Sequence, residues 1–256
     1  MPFIDIHGRR IETRLIPGAA ERPWLVFLHE GLGSVSLWRD FPDKLARRLG
    51  MRALIYSRQG YGQSDPLAGP RGVDFMHREA LDVLPALLAA FGIERALLVG
   101  HSDGASIALI HAASHPDVVV GLVLMAPHVL VEAISQQSIA RVTETYERGD
   151  LRTRLARHHA HVDDAFLGWS RIWLNPSFRT WSLGPECQRL TVPALLIQGD
   201  DDEYGTLAQL DAIQQAPPGP MTRLVLAKCG HAPQREQEPA VLAAIERFAV
   251  PLLAGA

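Results

Sequence analysis

The stretch that most limits what this chain can become runs from Leu97 to Ile110, Leu-Leu-Val-Gly-His-Ser-Asp-Gly-Ala-Ser-Ile-Ala-Leu-Ile. An apolar run, Leu97 to Val99, breaks into Gly100-His101-Ser102-Asp103-Gly104 and resumes as a small-residue segment at helical spacing. This is the grammar of strand, sharp turn and helix, G-x-S-x-G, in which the serine occupies a strained turn with its hydroxyl presented above a sheet edge. Gly100 and Gly104 suit a turn that brings strand and helix too close for a Cβ. On these five residues alone a strand-to-helix loop with a capping serine fits as well, so the rest of the chain decides.

Taken in order, residues 3 to 16 alternate loosely around Gly8 and predict a β-hairpin. Trp24 to Leu28 predicts a buried strand, ending in His29-Glu30-Gly31-Leu32-Gly33-Ser34, after which Leu37, Phe41, Leu45 and Leu49 recur at helical spacing. Ala53 to Tyr56 predicts the next strand, followed by a glycine-punctuated loop, Ser57 to Asp65, and an amphipathic helix from Val73 to Phe91 stopped by Gly92. Val118 to Met125 is a further β-branched run. Between His128 and about Leu190 strand-like runs disappear, and Ile134, Ile139, Val142 and Tyr146 recur at helical spacing. A structureless loop of that length inside a compact domain is improbable, so a helical insertion is expected. Strands return at Val192 to Gln198 and Arg223 to Ala227, each followed by a helix.

Alternating strands and helices predict an α/β fold: a mostly parallel central sheet with helices on both faces and right-handed crossovers. The expected division is a core of residues 1–127 and 191–256 with a helical cap, residues 128–190, inserted after the sixth strand. Loops at His29, Ser57, His101, Gly199 and Cys229 all follow strands and should converge on the carboxyl edge of the sheet, where such sheets bind ligands.

Composition bounds the partners. A formal charge of -3 with interspersed signs gives no basic stripe for nucleic acid and no polybasic segment for an anionic membrane. The longest uncharged apolar run, Val118 to Val131, is broken by Gly121 and Pro127 and falls short of the ~20 residues of a spanning helix. The first ten residues do not read as a signal peptide. Cys187 and Cys229 form no C-x-x-C pair, which suits a reduced, cytoplasmic protein. The expected partner is a small molecule, and the oligomeric state is not legible.

On Gly100-His101-Ser102-Asp103-Gly104, Gly199-Asp200-Asp201-Asp202 and Gly230-His231, the chain resembles the α/β-hydrolase fold superfamily along nearly all of its length. The resemblance implies a Ser-His-Asp triad in the chain order that fold uses, Ser102, Asp202, His231. Asp202 matches the family's Gly-x-x-Asp strand ending, with Asp201 as its rival. Gly230-His231 through Glu238-Pro239 is similar to the family's histidine ending, with one additional residue before the glutamate. A serine hydroxyl is nearly inert at neutral pH; the imidazole takes its proton during attack, and the carboxylate fixes the imidazole's tautomer. Where the family writes His-Gly-x for the loop that completes the oxyanion hole, this chain writes His29-Glu30-Gly31. The implied oxyanion donors are therefore the N–H groups of Gly31 and Asp103.

Substrate contacts are expected from Glu30, Asp103, Tyr61, Trp169 and Trp173. The Ser-Asp-Gly order resembles aminoacyl-ester hydrolases of the biphenyl-hydrolase-like group, which implies an ammonium-binding role for Asp103; an acid turned away into the helix N-terminus is the alternative. His158, His159 and His161 resemble a metal cluster only superficially, because neighbouring residues on a helix diverge and no H-E-x-x-H spacing is present. No cofactor and no metal are expected. The implied activity is hydrolysis of a small ester or related carbonyl compound through an acyl-enzyme. A carbon-carbon bond hydrolase, a lactonase, a lyase similar to menaquinone-pathway enzymes and a non-catalytic receptor of the same fold remain alternatives.

Overall fold

The computed structural model describes residues 2–215 and 219–254. Among them, eight strands form one sheet: β1 (Phe3–Ile6), β2 (Arg9–Ile16), β3 (Trp24–Leu28), β4 (Ala53–Tyr56), β5 (Ala96–His101), β6 (Val119–Met125), β7 (Ala194–Gly199) and β8 (Met221–Leu226). Their spatial order is β1-β2-β4-β3-β5-β6-β7-β8. The first two strands are the expected hairpin, and β2 pairs antiparallel with β4; all later pairings are parallel. Every residue of β4, β5 and β7 is buried, which is why these strands are written as apolar runs and not as alternations. The edge strand β8 carries Arg223 at its centre and is only partly buried, a charge that discourages further strand pairing.

The helices are α1 (Phe41–Leu49), α2 (Phe75–Arg78), α3 (Leu84–Ala90), α4 (Asp103–Ser114), α5 (Ala133–Arg148), α6 (Leu151–Leu155), α7 (Val162–Trp173), α8 (Gly184–Gln188), α9 (Ala208–Gln214), α10 (Pro233–Glu236) and α11 (Glu238–Ala254). Successive strand residues point to opposite faces, and the core divides accordingly. Val26, Leu28, Leu98 and Leu122 pack with α4 on one side. Leu25, Phe27, Val99 and Val123 pack with Leu45 of α1 and Ile245 of α11 on the other. Trp38 lies in this second layer, edge-on to Phe27 and stacked on Phe41.

Two expected helices are interrupted. The Val73–Phe91 segment is not continuous: a π-helical turn, Glu79–Val83, separates α2 from α3, and the Leu84 N–H bonds to the Glu79 carbonyl five residues back. Pro85 has no N–H to donate and its ring crowds the carbonyl of residue 81, so regular α-helix is lost in the turn before it. The helix expected around Leu37 begins only at Phe41, because Ser36–Trp38 is a 3₁₀ turn and Arg39 adopts φ +55°.

Helices α5 to α8 occupy the interval between β6 and β7. The segment closes on itself at its base, where Leu130 bridges Ser182 and the Leu183 N–H bonds to the Val129 carbonyl. No helix among the described residues is long and apolar enough to cross a membrane.

Candidate active site

The end of β5 and the start of α4 meet at Ser102, which adopts φ +52°, ψ -121°. That conformation costs a residue with a side chain about 1–3 kcal/mol and persists only where its surroundings enforce it. They do so through two glycines. A Cβ on Gly104 would lie 2.0 Å from the Leu28 carbonyl oxygen, and one on Gly100 would lie 2.5 Å from the Ala105 Cα. The Ser102 N–H donates to the Met125 carbonyl at 2.9 Å, which ties the turn to β6.

The loops after β7 and β8 are fused beside this turn. A Cβ on Gly199 would come within 1.9 Å of the Cys229 carbonyl oxygen, and the Asp201 N–H donates to that oxygen at 3.0 Å. Asp200 accepts from the Lys228 N–H at 2.7 Å. These contacts bring three side chains into line. The Oγ of Ser102 lies 2.9 Å from Nε2 of His231, and Nδ1 of His231 lies 2.8 and 3.0 Å from the two carboxylate oxygens of Asp202. Asp200 and Asp201 are exposed, and it is Asp202 that bonds the imidazole.

Asp202 is itself held by three donors, the N–H groups of Tyr204 (2.8 Å) and Gly205 (3.2 Å) and the side-chain amide of Gln198 (3.2 Å). Burial opposes charge on both partners. Against that, the bond to Asp202 and its negative charge raise the His231 pKa above its ordinary value. The same bond, with the Tyr204 N–H, outweighs burial and holds the Asp202 carboxyl below its own. With Nδ1–H donated to the carboxylate, Nε2 keeps a lone pair directed at the serine hydroxyl. A proton can therefore pass from Ser102 to His231.

The loop after β3 forms the other wall. No hydrogen bond within the described residues uses the N–H of Gly31 or of Asp103, and both residues line the cavity with Ser102. The loop's shape is set from below by Arg58, which is fully buried and donates its guanidinium to the carbonyls of His29 and Glu30. The His29 ring completes the lock, bonding the Glu30 carbonyl through Nδ1 (2.7 Å) and accepting the Arg58 N–H at Nε2 (3.0 Å). Glu30 points its carboxylate toward Arg235 (3.3 Å) and His101 (3.5 Å). Burial works against its ionisation, but His101 and Arg235 hold the carboxyl well below the usual range.

A cavity of about 240 Å³ opens over Ser102. Trp169 and Trp173 of α7 line it, as do Glu30, Asp103 and two residues the sequence did not single out, His128 and Tyr204. Trp169 lies directly on the loop after β3: a Cβ on Gly31 would be 2.2 Å from its indole nitrogen. Trp173 donates its indole N–H to Asp103 at 3.2 Å. Tyr61 does not line this cavity. It is wholly buried, edge-on to His29 and to His159 and beneath the Arg58 guanidinium, so it supports the loop that carries Gly31. The Ser57 loop as a whole buttresses the site and does not enter it.

Asp103 does not cap its helix with its side chain; the carboxyl is fully buried, with Oδ2 lacking any partner. The histidine cluster of the insertion disperses. His158 meets Ser36 at 2.9 Å, and His159 accepts from the Gly62 N–H and donates to the Leu32 carbonyl, each at 3.0 Å. His159 thereby joins the insertion to two core loops. Among the described residues no three metal-ligating side chains are gathered.

Comparison with known proteins gives the same frame. The chain is 31% identical over 121 residues to the sn-1-specific diacylglycerol lipase ABHD11 of Mus musculus, 47% of this chain but only 38% of that one. It is 27% identical over 200 residues to the 2-succinyl-6-hydroxy-2,4-cyclohexadiene-1-carboxylate synthase of Enterobacter sp. (strain 638), covering 76% and 68% of the two chains. A carboxylesterase structure from Nitrososphaera gargenis superposes with a TM-score of 0.79 at 18% identity over the full length of both. The family model described as alpha/beta hydrolase fold matches residues 23–185, well over half of the chain, so the protein belongs to the alpha/beta hydrolase fold family.

Proposed function

We propose that this hydrolase cleaves a small ester or related carbonyl compound by attack of Ser102, with His231 as general base and acid and Asp202 as the group that orients it. What supports the reading is the unbroken chain of contacts from the Ser102 hydroxyl through the imidazole to the Asp202 carboxylate, at the floor of a cavity. Attack moves the hydroxyl proton to Nε2 and charge onto the substrate carbonyl oxygen. The free N–H groups of Gly31 and Asp103 receive that oxygen, each such donor contributing about 3 kcal/mol to the transition state. Nε2 then returns the proton to the leaving alcohol. Water, deprotonated by the same nitrogen, releases the acid. The sequence of steps calls for no cofactor. Helices α5 to α8 act as the cap, with Trp169 and Trp173 shaping the space above the serine.

Asp103 narrows the substrate class. Its unpartnered, buried Oδ2 favours a ligand that brings a donor, and an ammonium near it both pairs the carboxylate and offsets the burial that pushes its pKa up. An amino-acid ester should therefore be hydrolysed with higher kcat/KM than its deaminated analogue, and equal values exclude this role.

Labelling with a fluorophosphonate probe tests the central reading: the wild type should react and Ser102→Ala should not, and equal labelling removes the serine-nucleophile assignment. The likeness to 2-hydroxy-6-oxononadienedioate/2-hydroxy-6-oxononatrienedioate hydrolase of Comamonas testosteroni, 22% identical over 246 residues, supports a second reading on the same three residues, cleavage of a carbon-carbon bond beside a ketone. A panel of esters, lactones, thioesters and diketones, scored by kcat/KM, separates the two.

A further inference from the structure

The cavity is also lined by His128, whose imidazole the proton relay does not use. His128 follows β6 and lies 5.5 Å, ring to ring, from His231 and 4.9 Å from Trp173, which it meets edge-on. Its backbone is fixed independently of its ring: the Ser106 hydroxyl bonds both the His128 carbonyl (2.6 Å) and the His128 N–H (3.2 Å). The side chain contributes nothing to that anchorage. Neither ring nitrogen has a hydrogen-bond partner among the described residues, and Nδ1 is wholly enclosed. Space for the ring is kept by Gly205, where a Cβ would sit 3.3 Å from the His128 Cε1.

Buried polar groups in folded proteins are nearly always paired, so an orphaned imidazole beside a reactive serine calls for a partner that arrives from outside. Its burial, aided by the nearby charge of His231, lowers its pKa to about 3. The ring is therefore neutral, and with Nδ1 enclosed it is Nε2 that is left to meet a ligand, as donor or as acceptor according to the tautomer. A carboxylate is a poor match: Glu30, Asp103, Glu203 and Glu236 all line the cavity, and its one arginine, Arg235, is already engaged by Glu30.

We propose that His128 is a specificity-determining residue that hydrogen-bonds an uncharged polar group of the substrate, a hydroxyl or an ether or carbonyl oxygen, so that esters bearing such a group are preferred over their hydrocarbon counterparts. The inference rests on Ser102 being the nucleophile, and it adds the recognition element that the proton relay lacks. Removing the ring from a site built around a hydrogen bond penalises the polar substrate and not its apolar match.

Matched pairs of esters test it: 4-nitrophenyl lactate against isobutyrate, 4-nitrophenyl 3-hydroxybutyrate against 3-methylbutyrate, and 2-methoxyethyl butyrate against butyl butyrate. The readout is the ratio of kcat/KM within each pair, compared between wild type and variant so that intrinsic ester reactivity cancels. In at least one pair His128→Leu should lower the polar-to-apolar ratio by about tenfold or more, and His128→Gln, which keeps a donor and an acceptor, should restore part of it. An unchanged ratio in all three pairs overturns the proposal. If His128→Leu does not fold, ring-¹⁵N histidine spectra of Ser102→Ala take its place. Adding the polar ester should shift the His128 resonances and the apolar ester should not, and identical responses overturn the proposal. Turnover by Ser102→Ala in the same assays would remove the nucleophile assignment, whereas the pair ratios report on His128 alone.

Discussion

His101, the residue immediately before Ser102, donates through Nε2 to the carbonyl oxygen of His231 at 2.7 Å. A carbonyl only accepts, so Nε2 carries a proton, while Nδ1 lies 3.0 Å from the Gln234 amide nitrogen and 3.5 Å from the Glu30 carboxylate. The turn that presents the hydroxyl thus also holds the backbone of the residue facing it.

Loss of that strap should act on turnover more than on substrate binding. His101→Phe is expected to lower kcat by about 10- to 100-fold with a much smaller change in KM, because a displaced base misses the in-line geometry that proton transfer requires. His101→Gln, which can still donate to the His231 carbonyl, should recover part of the loss. Steady-state kinetics on the three proteins checks both statements.

Asp202→Asn should leave the fold intact and lower kcat by about 10⁴-fold, since an amide cannot hold the imidazole in the tautomer that faces Ser102 or stabilise its cationic form. Circular dichroism with kinetics separates this from unfolding.

The pH profile follows from the sign of the His231 shift. Its pKa is raised above the ordinary 6.5 by Asp202 despite burial, and only the neutral imidazole accepts the serine proton. kcat/KM should therefore fall on the acid side, about tenfold per pH unit, with a midpoint above the ordinary histidine value. Asp202 titrates below its ordinary range and stays ionised throughout that window. A flat profile down to about pH 5 contradicts the assignment of His231 as base.

Gly31→Ala should be costly for a steric reason. The new methyl would sit 2.2 Å from the Trp169 indole nitrogen, so either the loop after β3 or α7 must move. A fall of about tenfold or more in kcat is expected, on the scale of a partly lost oxyanion donor, accompanied by a change in tryptophan fluorescence. Shortening the opposing side chain in Gly31→Ala/Trp169→Ala should restore part of the rate relative to Trp169→Ala alone.

Much of the fold is written locally. Buried parallel strands appear as uninterrupted apolar runs, and the paired glycines around Ser102 mark a backbone approach that no other residue permits. The insertion was legible through its helical spacing. What stayed hidden depended on distant partners. Pro85 breaks a helix whose apolar spacing continues past it, and periodicity alone does not register a missing N–H. Tyr61 sits on a loop that follows a strand, as the cavity residues do, yet Arg58 and the two rings beside it draw it under the floor. His128 carries no motif; its only signal is its position just after a strand of the parallel sheet, which was not enough to single it out.

Arg58 lies outside the cavity lining, on a loop separate from those that carry Ser102, Asp202 and His231. Yet its planar fork grips two consecutive carbonyls at the base of the Gly31 loop, and a lysine, with a single ammonium on a flexible stem, cannot reproduce that grip. Proximity to the serine is therefore a poor guide to which positions tolerate change. A mutational library confined to residues that a ligand can touch would pass over the guanidinium that keeps one wall of the reaction chamber upright.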